Sequence, residues 1–133
     1  MILVDTSVLL DVLTNDSVWA DWSQSALERA SAEGNLAIND IVYSELSIRF
    51  ETVEALDSAV APMGLNHAAV PRAALFLAGK AFLRYCQQGG TRTGVLSDFF
   101  IGAHAAVSSC PLITRDTRRI AHYFPGVTLI APA

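Results

Sequence analysis

The tightest constraint on the fold sits at the start of the chain, where Ile2-Leu3-Val4 is followed at once by Asp5-Thr6-Ser7. A short run that is apolar at every position has no solvent face, so it reads as a strand covered on both sides, as in a parallel sheet between helical layers. Such a strand delivers its first polar residue to the edge of the sheet. In open α/β sheets the ligand crevice lies there, outside the carboxyl ends of the strands. Asp5 therefore has two readings that the sequence leaves open. Asp, Ser and Thr are the preferred helix N-cap residues, and Val8-Leu9-Leu10-Asp11-Val12-Leu13 is a helix-forming run; equally, Asp5 can be the first acid of a site.

The alternation of short apolar strands with longer periodic segments continues along the chain. A turn at Thr14-Asn15-Asp16-Ser17 opens an amphipathic helix with Trp19, Trp22, Ala26, Leu27 and Ala30 on one side. The two tryptophans read as core or dimer-interface residues, because they lack the basic neighbours of a nucleotide-stacking platform. Leu36-Ala37-Ile38-Asn39 is a second strand, and Asp40 is placed to cap the helix over 41–50. Glu45 lies next to the apolar face of that helix, where it either pairs with Arg49 at i+4 or holds a ligand. Residues 51–61 read as a helix broken by Pro62-Met63-Gly64, and Leu65-Asn66-His67 as a connection. The spacing predicts a long helix over 71–88, with Ala74, Leu75, Leu77, Ala78, Ala81, Phe82 and Tyr85 as its buried stripe. A Gly-rich loop over 89–94 includes Arg92 and has neither the lysine of a P-loop nor a dinucleotide fingerprint. Asp98 lies in the first turn of a helix rich in small residues, continuing to Val107. Pro111-Leu112-Ile113-Thr114 is another buried strand that ends on polar residues, Arg115-Asp116; a helix over 117–122 and a strand over 127–130 close the pattern. The sum is one three-layer α/β/α domain over residues 1–133 with a mainly parallel sheet.

Composition sharpens the functional reading. The 133 residues are 52% hydrophobic and only 17% charged, below the ~25% usual for soluble domains, which predicts that part of the surface is covered by self-association or a partner. No apolar run reaches the ~18–20 residues of a membrane span and no signal-peptide pattern opens the chain, so a cytoplasmic protein is expected. Cys86 and Cys110 have no metal-binding spacing and read as buried thiols. Charge is divided unevenly: residues 1–66 hold eleven acids and two bases, residues 67–133 two acids and seven bases. The two acids of the basic half are Asp98 and Asp116. Isolated acids among Lys80, Arg84, Arg92, Arg115, Arg118 and Arg119 suggest a polyanion held near a metal.

If the strands are parallel, Asp5 and Asp116 leave the sheet at one edge, and helices entered from that edge can bring Glu45 and Asp98 alongside. Four carboxylates in one crevice repel one another unless a cation sits among them. Oxygen ligands without His or Cys suit a hard ion, Mg²⁺ or Mn²⁺, which could activate water and steady an in-line displacement at phosphorus. An aspartyl-phosphate phosphatase also begins with a strand and an Asp, but that chemistry asks for a second Asp where this chain has Ser7. A non-catalytic binding module using the basic half is the reading from a different class.

The segments MILVDTSVLLDVL, YSELSIRF around Glu45, LSDFFIGAHAA around Asp98 and LITRDTRRIAHYFPGVTLI around Asp116 resemble, in that order, the PIN-domain family, specifically the VapC-type toxins of bacterial toxin–antitoxin pairs. The resemblance implies a Mg²⁺- or Mn²⁺-dependent endoribonuclease, usually a homodimer, held inactive by an antitoxin protein whose C-terminal segment occupies the active-site groove. Matched position by position, Asp5, Glu45, Asp98 and Asp116 correspond to the family's acidic quartet. Thr6, Ser7 and Thr114 correspond to hydroxyls beside it, and Arg115, Arg118 and Arg119 to basic positions suited to substrate phosphates. Arg92 is a further candidate RNA contact. Pairing of Arg115 with Glu45 or Asp116 is the alternative for that residue. His104 and His122 match no metal ligand of the family.

Overall fold

The computed structural model describes residues 1–91 and 95–133, so Arg92 lies outside the described residues. Five strands, β1 (Ile2–Val4), β2 (Leu36–Asn39), β3 (Asn66–Ala68), β4 (Leu112–Ile113) and β5 (Leu129–Ile130), form one sheet in the order β3-β2-β1-β4-β5, and every pair is parallel. The helices between them are α1 (Thr6–Leu13), α2 (Ala20–Glu33), α3 (Asp40–Ser47), α4 (Val53–Val60), α5 (Arg72–Gln87), α6 (Leu96–Ser108) and α7 (Arg118–Tyr123), with a 3₁₀ turn over Ala61–Met63. Parallel strands are joined by right-handed crossovers. The outward run from β1 to β2 to β3 therefore places its helices on one face, and the return to β4 and β5 places the others on the opposite face. That is the expected three-layer α/β/α arrangement.

Central strands β1, β2 and β4 are buried at every position, and Leu3, Val4, Ala37, Leu112 and Ile113 are essentially sealed from solvent. Val8 and Leu9 of α1, Val42 and Leu46 of α3 and Phe99 of α6 cover them. Phe99 also packs edge-on against Phe82, Tyr123 and Phe124, so α5, α6 and α7 share one aromatic cluster. Small residues of α6 permit the closest of these contacts. A Cβ on Gly102 would lie 2.5 Å from the Phe124 ring and 2.9 Å from Ile120, so the α6 and α7 segments meet where a side chain is missing.

Several local expectations are corrected. The connection expected at Asn66-His67 is the edge strand β3, whose polar residues face water because an edge strand has a free side. Helix α3 is capped by Asn39, whose Oδ1 accepts from Ile41 N and Val42 N at 3.0 Å each, while Asp40 is already helical. In α5 only the alanines of the predicted stripe, Ala74, Ala78 and Ala81, are fully buried; Leu75, Phe76 and Leu83 are exposed. Cys110 is buried, but Cys86 is exposed on α5.

Candidate active site

Topology chooses the place. The chain moves outward from β1 and then returns to lay β4 on the other side of it, so the crossovers diverge to opposite faces at the carboxyl ends of β1 and β4 and leave a crevice. The register pairs Val4 with Ile113, and the next residues, Asp5 and Thr114, leave the sheet side by side. Asp5 N donates to Ile113 O at 2.9 Å, and the buried Thr114 Oγ1 donates to Asp5 Oδ2 at 2.7 Å.

Asp5 caps α1 and also lines the crevice. Its extended backbone and its Oδ1, which accepts from Thr6 N at 2.8 Å, make it the N-cap of α1. Its Oδ2 faces Thr114 and, at 3.4 Å, Ser7 Oγ. Burial raises the carboxyl above its ordinary range; the hydrogen bonds from Thr114 and Thr6 oppose that rise, and the charge of Glu45 adds to it. A carboxylate has about four lone-pair directions, so capping leaves acceptor capacity for a ligand.

Glu45 reaches the same region from α3. Thr6 Oγ1 donates to its Oε1 at 2.6 Å and Ser97 Oγ to its Oε2 at 3.1 Å. Thr6 follows Asp5 and Ser97 precedes Asp98, so two hydroxyls tie Glu45 to the neighbours of two other acids. Arg49 is exposed, and among the described residues Glu45 belongs to no ion pair.

Asp98 sits in the first turn of α6 with its side chain 34% exposed, and its Oδ2 accepts from Arg119 Nη1 at 2.6 Å. Its carboxyl is pushed up to about 6, first by burial and then by the charge of Asp5. Arg119 opposes the rise, while Asp116 and Glu45 add to it. Asp98 thus feels all three other acids of the quartet, of which Asp5 and Asp116 line the same cleft. Asp116 stands at the rim, 58% exposed, with Oδ2 at 3.7 Å from Arg119 Nη1. Its backbone N donates to Thr114 Oγ1 at 3.1 Å.

A cleft of about 10 Å³ lies between Asp5, Asp98, Asp116 and Arg119, backed by Ile101 and Ile120. That is room for about one water-sized sphere. Among the described residues no three acidic, histidine or cysteine side chains are drawn together tightly enough to form a finished ion site; the cation among the acids is the Arg119 guanidinium. An all-oxygen, multiply charged donor set still matches a hard divalent ion better than a soft one.

The other arginines divide. Arg115 lies neither with Glu45 nor with Asp116: Nε and Nη2 grip the buried Asp11 at 2.7 and 3.0 Å, Ser23 Oγ donates to the same carboxylate at 2.7 Å, and Trp19 lies 5.0 Å from the guanidinium. Arg115 is thereby committed to joining the end of β4 to α1 and α2. Arg118 is exposed and, with Tyr85, Asp116, Arg119, His122 and Tyr123, lines a groove of about 580 Å³ that shares Asp116 and Arg119 with the cleft.

Behind the acids lies a buried link that sequence reasoning passed over. Asn39 Nδ2 is 3.1 Å from Nδ1 of His104, and both residues are buried. Asn39 Oδ1 already serves the α3 cap, so its amide must donate and His104 Nδ1 must be the unprotonated nitrogen. Burial lowers the His104 pKa, consistent with a neutral ring. The link joins the start of the Glu45 helix to the Asp98 helix. Asp11 and Ser97 were also missed; an acid inside the apolar TSVLLDVL helix was the available signal for Asp11.

The PIN-domain family model matches residues 2–124. A search among curated proteins finds no match. Among solved structures, VapBC2 from Rickettsia felis bound to a DNA fragment from its promoter superposes with a TM-score of 0.74 at 20% identity, covering 98% of each chain. VapBC-1 from nontypeable Haemophilus influenzae gives 0.73 at 17% identity, again over 98% of each chain. The sarcin-ricin loop cleaving toxin VapC20 from Mycobacterium tuberculosis gives 0.61 at 17% identity, over 96% of this chain and 99% of that one. At such identities the likeness is one of fold.

Proposed function

This chain belongs to the PIN-domain family, and on that footing we propose that it is a Mg²⁺- or Mn²⁺-dependent endoribonuclease, the toxin of a toxin–antitoxin pair. The observation that carries the reading is the crowding at the β1/β4 switch point, where Asp98 is pushed up to about 6 by burial and by three other acids. A fold that spends stability to hold like charges together has a use for a cation there.

Asp5, Asp98 and Asp116 would hold the ion, with Glu45 at the next remove through Thr6 and Ser97. When bound, a divalent ion supplies the positive charge that an in-line displacement at a phosphodiester needs on its attacking and leaving oxygens. The chain's own groups do the rest. Thr114 fixes the orientation of Asp5, and the Asn39 to His104 link fixes the separation of the Glu45 and Asp98 helices. Arg118, exposed beside the cleft, attracts the RNA backbone in the adjoining groove. The low fraction of charged residues and the exposed Leu75, Phe76 and Leu83 of α5 support a homodimer. An antitoxin protein is the partner suggested by the toxin–antitoxin neighbours.

The test is incubation of purified chain with structured RNA in Mg²⁺ or Mn²⁺. Cleavage should require the ion, stop with chelator and fall by at least about 10²-fold in Asp5→Asn and Asp98→Asn. RNA binding that needs no ion and yields no shorter products would establish a binding module instead.

A further inference from the structure

Arg119 is held unlike the other paired arginine of the site region. Arg115 satisfies its carboxylate partner with both edges of its fork. Arg119 touches Asp98 at 2.6 Å and Asp116 at 3.7 Å through one nitrogen, Nη1. Among the described residues its Nε is buried with no hydrogen-bond partner, its side chain is 14% exposed, and the guanidinium lies 5.7 Å from the centre of the Tyr85 ring. A buried donor without an acceptor forfeits its hydration for nothing, so this pose is held by charge rather than by a completed hydrogen-bond set. Arg119 also lines both the small cleft and the wider groove beside it.

We propose that Arg119 is the resident counter-cation of the carboxylate cluster: a divalent ion entering between Asp5, Asp98 and Asp116 displaces the guanidinium, which turns into the adjoining groove. The inference rests on the hydrolytic reading above. With Arg119 in place the cleft of about 10 Å³ holds about one water-sized sphere, less than a divalent ion needs together with the waters it keeps, so the guanidinium gives way. The exchange also explains why, among the described residues, no three acids close on one point: Asp98 is drawn toward Arg119 instead. Once released, Nε and the terminal nitrogens form a planar fork that matches a phosphate of the polyanion in the groove. Ion entry and RNA engagement are thereby coupled through one side chain.

Two measurements test this on the full chain. In calorimetric titration with Mn²⁺, Arg119→Gln should bind the ion about tenfold or more tightly than the unmodified chain, because it has no cation to expel. Arg119→Lys, which keeps a charge, should fall between them. On the unmodified chain, Mg²⁺ titration followed by NMR should speed the solvent exchange of the Arg119 Nε–H, identified by its loss in Arg119→Gln. Equal or weaker ion binding by Arg119→Gln, or an Nε–H unaffected by Mg²⁺, would overturn the displacement alone. Absence of ion binding by both chains would overturn it together with the hydrolytic reading.

Discussion

Thr114 connects two of the acids through a single hydroxyl, donating to Asp5 and accepting from the backbone of Asp116. Thr114→Val keeps the shape and removes both bonds in a fully buried place. Unfolding in urea should show a loss of about 1–3 kcal/mol, and ion-dependent cleavage should fall about 10–100-fold, the usual effect of removing a group that orients a ligand. Arg115 tells the opposite story from the same loop. Arg115→Met leaves the Asp11 carboxylate buried and unpaired, which costs about 3–5 kcal/mol; melting should report that loss at any Mg²⁺ concentration, since Asp11 does not line the cleft.

At the level of elements, α6 is the part on which the site's dimensions depend. It carries Asp98 at one end, His104 against Asn39 in its middle, and Gly102 beneath Phe124. Gly102→Val would push α6 from α7 and separate Asp98 from Arg119; thermal melting should fall by several degrees, the common result of overpacking by about 1–3 kcal/mol. The His104 link predicts a pH dependence. The native ring binds a proton less readily than the unfolded one, so the link's stability is complete above about 6.5, the unfolded value, and is lost as pH falls through the lower native value. Asp98, pushed up to about 6, takes up a proton in the same window and works the other way, so the link is read from the difference: between pH 7.5 and 5.5 the urea midpoint should fall more, or rise less, in the unmodified chain than in His104→Gln. These same elements show what the sequence made legible. A strand with no solvent face that stops on Asp5, and a second that stops before Asp116, fixed the sheet edge and two of the acids. The pairing of Arg115 with Asp11 was not legible, because choosing among acids more than a hundred residues distant is a tertiary outcome. The polar edge strand β3 was hidden because its exposed residues carry no alternation.

Across the whole molecule, the basic half supplies β4, α7 and the groove, and the acidic half supplies β1, α3 and two of the four acids. Retention of an Asp98→Asn chain on RNA should weaken steeply as salt rises, and Arg118→Gln should make that dependence shallower by about one contact. On α5, Phe76 is 70% exposed; if the homodimer uses that face, Phe76→Glu should convert it to monomer in sedimentation. The bond from Thr114 to Asp5 spans 109 residues. A ribosome adding about 5–20 residues per second needs on the order of ten seconds to travel that distance. Throughout that interval the first aspartate has been translated while the threonine that steadies it has not, so under the proposed ribonuclease reading a growing polypeptide would cleave transcripts poorly until Thr114 has emerged. Time during synthesis is thus built into the strand order, and for the proposed toxin it would delay harm to the cell that makes it.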